Sequence, residues 1–79
     1  MPEVFRFYGF SFFFYSKEYE PLHIHVEGKD GCAKFDLVDD DFVMVEKMNI
    51  KANDLKRIKE VIADNKDIII HRWNEYFKR

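Results

Sequence analysis

The sequence predicts an α+β domain: an antiparallel sheet of four to five strands, with one or two C-terminal helices packed on one face. Three observations carry this. Residues 1–50 are rich in aromatic and β-branched side chains, and several stretches alternate apolar with polar residues. Turn formers punctuate them at Gly9, Gly28–Gly31 and Asp39–Asp41. From Asn53 onward the apolar spacing changes to three and four, the helical period. The 79 residues leave no room for a second core, so 1–79 reads as one domain, β-rich over 1–50 and helical over 51–79.

Val4 to Tyr15 is almost all strand formers with Gly9 near its centre, which predicts strands over 3–8 and 10–15 joined as a hairpin. Phe12, Phe13 and Phe14 put aromatics on both faces of the second strand, as expected for an interior position in the sheet. Ser16 to Leu22 is a polar loop, and Pro21 suits a strand entrance because it cannot donate to a ladder. A third strand is expected over 22–27. Gly28-Lys29-Asp30-Gly31 then forms a turn whose glycines can take positive φ.

Cys32 to Leu37 returns as a fourth strand, with Ala33, Phe35 and Leu37 alternating against Lys34 and Asp36. Asp39–Asp41 reads as an exposed acidic turn. Phe42 to Ile50 contains a further strand, with Val43, Val45 and Met48 as its expected apolar side. Asn53 or Asp54 can cap a helix whose stripe is Leu55, Ile58, Val61 and Ile62. The stripe lapses at Asp64-Asn65-Lys66-Asp67, which favours a second helix carrying Ile69, Ile70, Trp73, Tyr76 and Phe77.

The aromatic fraction is 18%, from nine Phe, four Tyr and Trp73. A short chain can build a core from such side chains but cannot bury all of them, so some should line a groove or interface. The net charge of −2 exerts no global pull toward nucleic acid. Its distribution is uneven: residues 1–50 hold five Lys/Arg against ten Asp/Glu, and 51–79 hold eight against five. Cys32 is the lone cysteine, which excludes an internal disulfide and suits a reducing cytoplasm. No signal peptide is recognised, and no run of about 18–20 apolar residues exists to cross a membrane.

Chemistry concentrates in Glu20-Pro21-Leu22-His23-Ile24-His25-Val26. Residues two apart on a strand share a face, so His23 and His25 stand together while Ile24 and Val26 face the core. If the turn closes with Glu27 opposite Cys32, His25 faces Lys34 and His23 faces Asp36, within reach of a hydrogen bond. His23 and His25 are weak metal candidates, with Asp36, Glu27, Cys32 or His71 as further ligands; no other cluster at ligand spacing appears, and no cofactor is expected.

A hydrolytic site would use His23 or His25 as base, Asp36 to orient it, and Lys34 or Arg6 to stabilise an anion. The same His23, His25, Lys34, Asp36 and Arg6 could instead form a binding surface. Nucleic-acid binding would recruit these cations with aromatic faces, but the sheet half is acidic. Trp73, Tyr76 and Phe77 belong to the helix expected to cover the sheet, with enough surplus apolar surface to suggest a second protein chain.

Residues 1–10 (Met-Pro-Glu-Val-Phe-Arg-Phe-Tyr-Gly-Phe), Phe-Phe-Phe-Tyr-Ser at 12–16, Glu20 to Val26 and Trp73-Asn74-Glu75-Tyr76-Phe77 together resemble the small prokaryotic domain-of-unknown-function family 4160. The resemblance covers essentially the whole chain. It implies a cytoplasmic single-domain protein. Similar genes lie beside another small uncharacterised family, domain-of-unknown-function 2442, in arrangements resembling toxin–antitoxin pairs. The family's motif is usually Pro-Pro-His-Ile-His-Val; here Leu22 replaces the second proline, which keeps both histidines and removes some stiffness before the strand. No catalytic residue follows from the resemblance.

The expected function is a small cytoplasmic protein-interaction module, one member of a toxin–antitoxin-like pair, whose partner is a protein encoded by a neighbouring small gene. The alternative is a histidine- or metal-dependent ribonuclease or hydrolase working from the His23/His25 face.

Overall fold

Five strands pair antiparallel in the order in which they occur, and two consecutive helices follow. The computed structural model describes residues 3–15 and 22–77. The strands are β1 (Glu3–Phe7), β2 (Phe10–Phe13), β3 (His23–Glu27), β4 (Cys32–Val38) and β5 (Asp41–Met48); the helices are α1 (Ala52–Asp64) and α2 (Lys66–Phe77). The expected α+β architecture is therefore observed. The predicted loop over Ser16–Pro21 lies outside the described residues.

Two hairpins close through two-residue turns with positive φ at both positions, Tyr8-Gly9 (52° and 80°) and Asp39-Asp40 (50° and 71°). This geometry matches the right-handed twist of paired strands. Aspartate tolerates the left-handed region, but a tyrosine there costs about 1–2 kcal/mol. The Arg57 guanidinium lies 5.2 Å from the Tyr8 ring centroid and offsets part of that cost.

The Gly28–Gly31 turn closes with the Gly28 N–H donating to the Gly31 carbonyl at 2.9 Å. Its glycines do not take positive φ, contrary to expectation. At Gly31 the requirement is space: a Cβ there would collide with the backbone carbonyl oxygens of Met48 and Asn49. The glycine lets the turn pass under the end of β5.

One face of the sheet carries the core. Phe12, Ile24, Val26, Ala33 and Phe35 are buried on it against Ile58, Val61 and Ile62 of α1 and Ile69 and Trp73 of α2. Full burial of a large apolar side chain contributes about 1.5–3 kcal/mol, so this layer holds the helices in place. Interior β2 keeps both faces covered, with Phe12 and Phe13 each buried. It ends at Phe13 rather than Tyr15, yet Phe14 just beyond is also buried, edge-on to Trp73 at 5.1 Å.

Two expectations are corrected here. Val43, Val45 and Met48 do not face the core; they are 45%, 47% and 68% exposed, and Phe42 and Met44 pack inward instead. Val43 pairs with Asp36 on the open face, while Phe42 and Met44 sit opposite Leu37 and Phe35 on the core face. Beyond them a bulge, with Phe35 paired to Met44 but Lys34 to Glu46, makes Val45 an extra residue and sets Met48 opposite Cys32 on the open face. The N-cap of α1 is Lys51, extended at φ −68° and ψ 152° with no side-chain cap, so neither Asn53 nor Asp54 caps. At the other end Asn65 joins the helices. Its Nδ2 donates to the Val61 carbonyl at 2.8 Å, and its own carbonyl accepts from Ile69 N–H at 3.0 Å.

Ile69, Trp73 and Phe77, four apart on α2, turn inward, whereas Tyr76 and Ile68 are exposed. The aromatic end of α2 is thus mainly core. Of the predicted interaction residues Trp73, Tyr76 and Phe77, only Tyr76 presents substantial surface.

Candidate functional site

The face opposite the helices presents the polar members of each strand. The pairing is the one the turn dictates: Glu27 opposite Cys32, His25 opposite Lys34 and His23 opposite Asp36. Phe13 pairs with His25 on the other side, so Phe13, His25, Lys34 and Glu46 form one row across β2–β5. Ser11, Glu27, Cys32 and Met48 form the next.

The two histidines differ sharply. Their rings are 5.2 Å apart and nearly perpendicular. His23 is only 5% exposed, and its ring meets the indole of Trp73 at 5.3 Å. It belongs to the seam between sheet and α2 rather than to an open polar surface, as expected from alternation alone. His25 is half-buried, stacked on Phe13 at 5.5 Å with Tyr15 edge-on at 4.4 Å.

Asp36 does not hydrogen-bond His23. Its Oδ1 lies 3.9 Å from the Lys34 ammonium, two residues back on the same face, and makes no hydrogen bond among the described residues. The flexible lysine reaches the carboxylate, whereas the His23 ring is turned toward Trp73. Asp36 therefore does not orient an imidazole base.

Arg6 shares this face, but β1 lies three strand spacings from β4, about 14 Å at ordinary strand spacing. Its guanidinium is engaged by Glu3 at 3.1 Å. Glu3 also accepts the Ser11 hydroxyl at 2.6 Å. That hydrogen bond is the main reason its carboxyl titrates below the usual range, with partial desolvation opposing and the Arg6 charge reinforcing. Arg6 thus stands apart from the His25–Lys34 group. His71 lies on α2, 3.4 Å from Glu75 of the same helix, away from the paired histidines. Among the described residues no three His, Cys, Asp or Glu side chains converge to hold a metal ion.

A cleft of about 570 Å³ opens on this face, lined by Phe13, Tyr15, His25, Lys34, Glu46 and Met48 among others. An imidazole beside an ammonium can hold an anion or exchange a proton, and the Tyr15, Val45 and Met48 walls suit an apolar group. Sequence reading found His25 and Lys34 but missed Tyr15, Val45, Glu46 and Met48. The rows containing Glu46 and Met48 follow from register only once the bulge is known.

A family model described as Domain of unknown function (DUF4160) matches residues 9–74. The chain belongs to this family. The DUF4160 match runs from the β1–β2 turn to the last turns of α2, so it includes both histidines, the cleft and Trp73. No curated protein and no solved structure matches the chain. No described helix of this DUF4160 protein is long and apolar enough to cross a membrane.

Proposed function

We propose that this chain is a small cytoplasmic protein-interaction module, one member of a toxin–antitoxin-like pair, that meets its partner through the open face of the sheet. The observation carrying this reading is the exposure of Val43, Val45 and Met48 on the face that the helices leave uncovered, where Val45 and Met48 line one cleft with Tyr15. Exposed apolar side chains grouped in this way favour a protein contact. The resemblance of the chain makes the product of an adjacent small gene the first partner to test. An exposed, single cysteine on the same face fits a reducing compartment.

Co-expression of the two products, with one tagged, tests the reading. The partner should co-purify with the wild-type chain and with Ile68→Glu on the helix side, and be lost with Val45→Glu and Met48→Glu. Absence of co-purification, or loss with Ile68→Glu alone, overturns it. Growth of cells expressing each product singly and together then assigns the toxic and the neutralising member.

A second reading rests on His25 and Lys34 sharing the cleft: a histidine-dependent ribonuclease or hydrolase. RNA cleavage by the purified chain that disappears in a folded His25→Ala variant would replace the interaction reading. His23→Ala serves less well for this purpose, because His23 is part of the packing.

A further inference from the structure

We infer that the partner presents a basic, amphipathic segment to the β4–β5 half of the open face. This specifies the partner's chemistry and rests on the interaction-module reading. Along this half, Val38 pairs with Asp41, Asp36 with Val43, Lys34 with Glu46 and Cys32 with Met48. Val45, the extra residue of the bulge, lines the same cleft. Exposed apolar side chains therefore alternate with carboxylates.

The charge there is predominantly negative. From Asp36 to Glu46 the chain contains Asp36, Asp39, Asp40, Asp41 and Glu46 and no lysine or arginine. Of the neighbouring cations, Lys34 Nζ lies 3.9 Å from Asp36 and Lys66 Nζ donates to the Asp40 carbonyl at 2.7 Å. Lys47 also lines the cleft, so over residues 34–47 five carboxylates stand against two lysines. An apolar surface studded with carboxylates repels phosphate backbones and acidic chains. It also disfavours a second copy docked face to face, because a two-fold contact would set Asp41 and Glu46 among their own equivalents. A segment carrying Lys or Arg between aliphatic residues satisfies both the valines and the carboxylates. Opposite charge speeds encounter, and apolar burial retains the complex.

The full chain, labelled with nitrogen-15, is titrated with two short synthetic peptides, one alternating Lys and Leu and one alternating Glu and Leu. The Lys/Leu peptide should shift amide resonances over residues 36–48 and leave those of α2 unmoved, and the Glu/Leu peptide should shift neither. Asp41→Lys with Glu46→Lys, verified as folded by circular dichroism, should weaken Lys/Leu binding by about tenfold or more. Equal binding of both peptides overturns the inference, as do shifts confined to the helices or an unchanged affinity in the charge-reversed variant. So does displacement of the same resonances by an oligouridine RNA or by concentration-dependent self-association. If these peptides fail while the neighbouring gene product still co-purifies, the basic-segment inference falls and the interaction module stands. Peptide binding without co-purification has the reverse meaning.

Discussion

Replacing His23 and His25 separately by alanine should divide folding from function. His23 is buried against the Trp73 indole and the His25 ring. Its removal leaves a void beside a side chain that itself anchors α2, and truncating a buried medium-sized side chain costs about 2–4 kcal/mol. A chain of this size has a total stability on the order of 4–12 kcal/mol, so His23→Ala takes a large share. At about 4–8 °C per kcal/mol, the midpoint should fall by at least about 8 °C.

His25 is half-exposed and contributes mainly its ring contacts with Phe13 and Tyr15, worth about 0.5–1.5 kcal/mol. Urea unfolding followed by circular dichroism gives both values, and the slope of the transition verifies that the two-state comparison holds. His25→Ala should stay folded and lose partner binding. An equal loss of stability from the two variants, or a larger one from His25→Ala, refutes the assignment of His23 to the core.

The vacant cap of α1 makes Lys51→Ser stabilising by about 0.5–1.5 kcal/mol, visible as a rise of several degrees in Tm; no rise would contradict the extended, uncapped geometry at Lys51. Gly31→Ala should destabilise by about 1–3 kcal/mol in urea unfolding because the new Cβ meets fixed carbonyls of Met48 and Asn49. Gly9→Ala meets open space and should cost only the positive-φ penalty, about 1 kcal/mol, so the order of the two variants is itself a test. Ser11→Ala should raise the Glu3 pKa toward its ordinary value in an NMR titration. With a depressed folded-state pKa, the Glu3 contribution is present above the unfolded value and is lost as pH falls through the folded one, so Ser11→Ala should flatten the acid side of the stability profile.

Much of the architecture was legible because local rules agreed with it. The Gly28–Gly31 turn has one natural register, and that register alone set His25 opposite Lys34 and His23 opposite Asp36. The stripe of Ile58, Val61 and Ile62 likewise predicted the buried face of α1. β5 was misread because both of its alternating sets are apolar, Phe42 and Met44 against Val43 and Val45, and because nothing in Phe-Val-Met-Val-Glu announces the extra residue that turns Met48 to the open face. His23 was misread for a different reason: its cover is Trp73, fifty residues away, and alternation cannot foresee tertiary cover. The cap failed because Asn53 and Asp54 fall inside the first turn, two and three residues too late.

The seam between sheet and helix also supplies an optical readout. Trp73 is the one tryptophan, and its ring leads through His23 at 5.3 Å and then 5.2 Å to His25 in the cleft. Indole emission responds to the groups packed around the ring. A molecule settling on the cleft contacts His25, whose ring adjoins that of His23. The unlabelled chain thus carries a fluorophore in its interior that reports events on its opposite face, and peptide or partner titrations can be followed by emission alone.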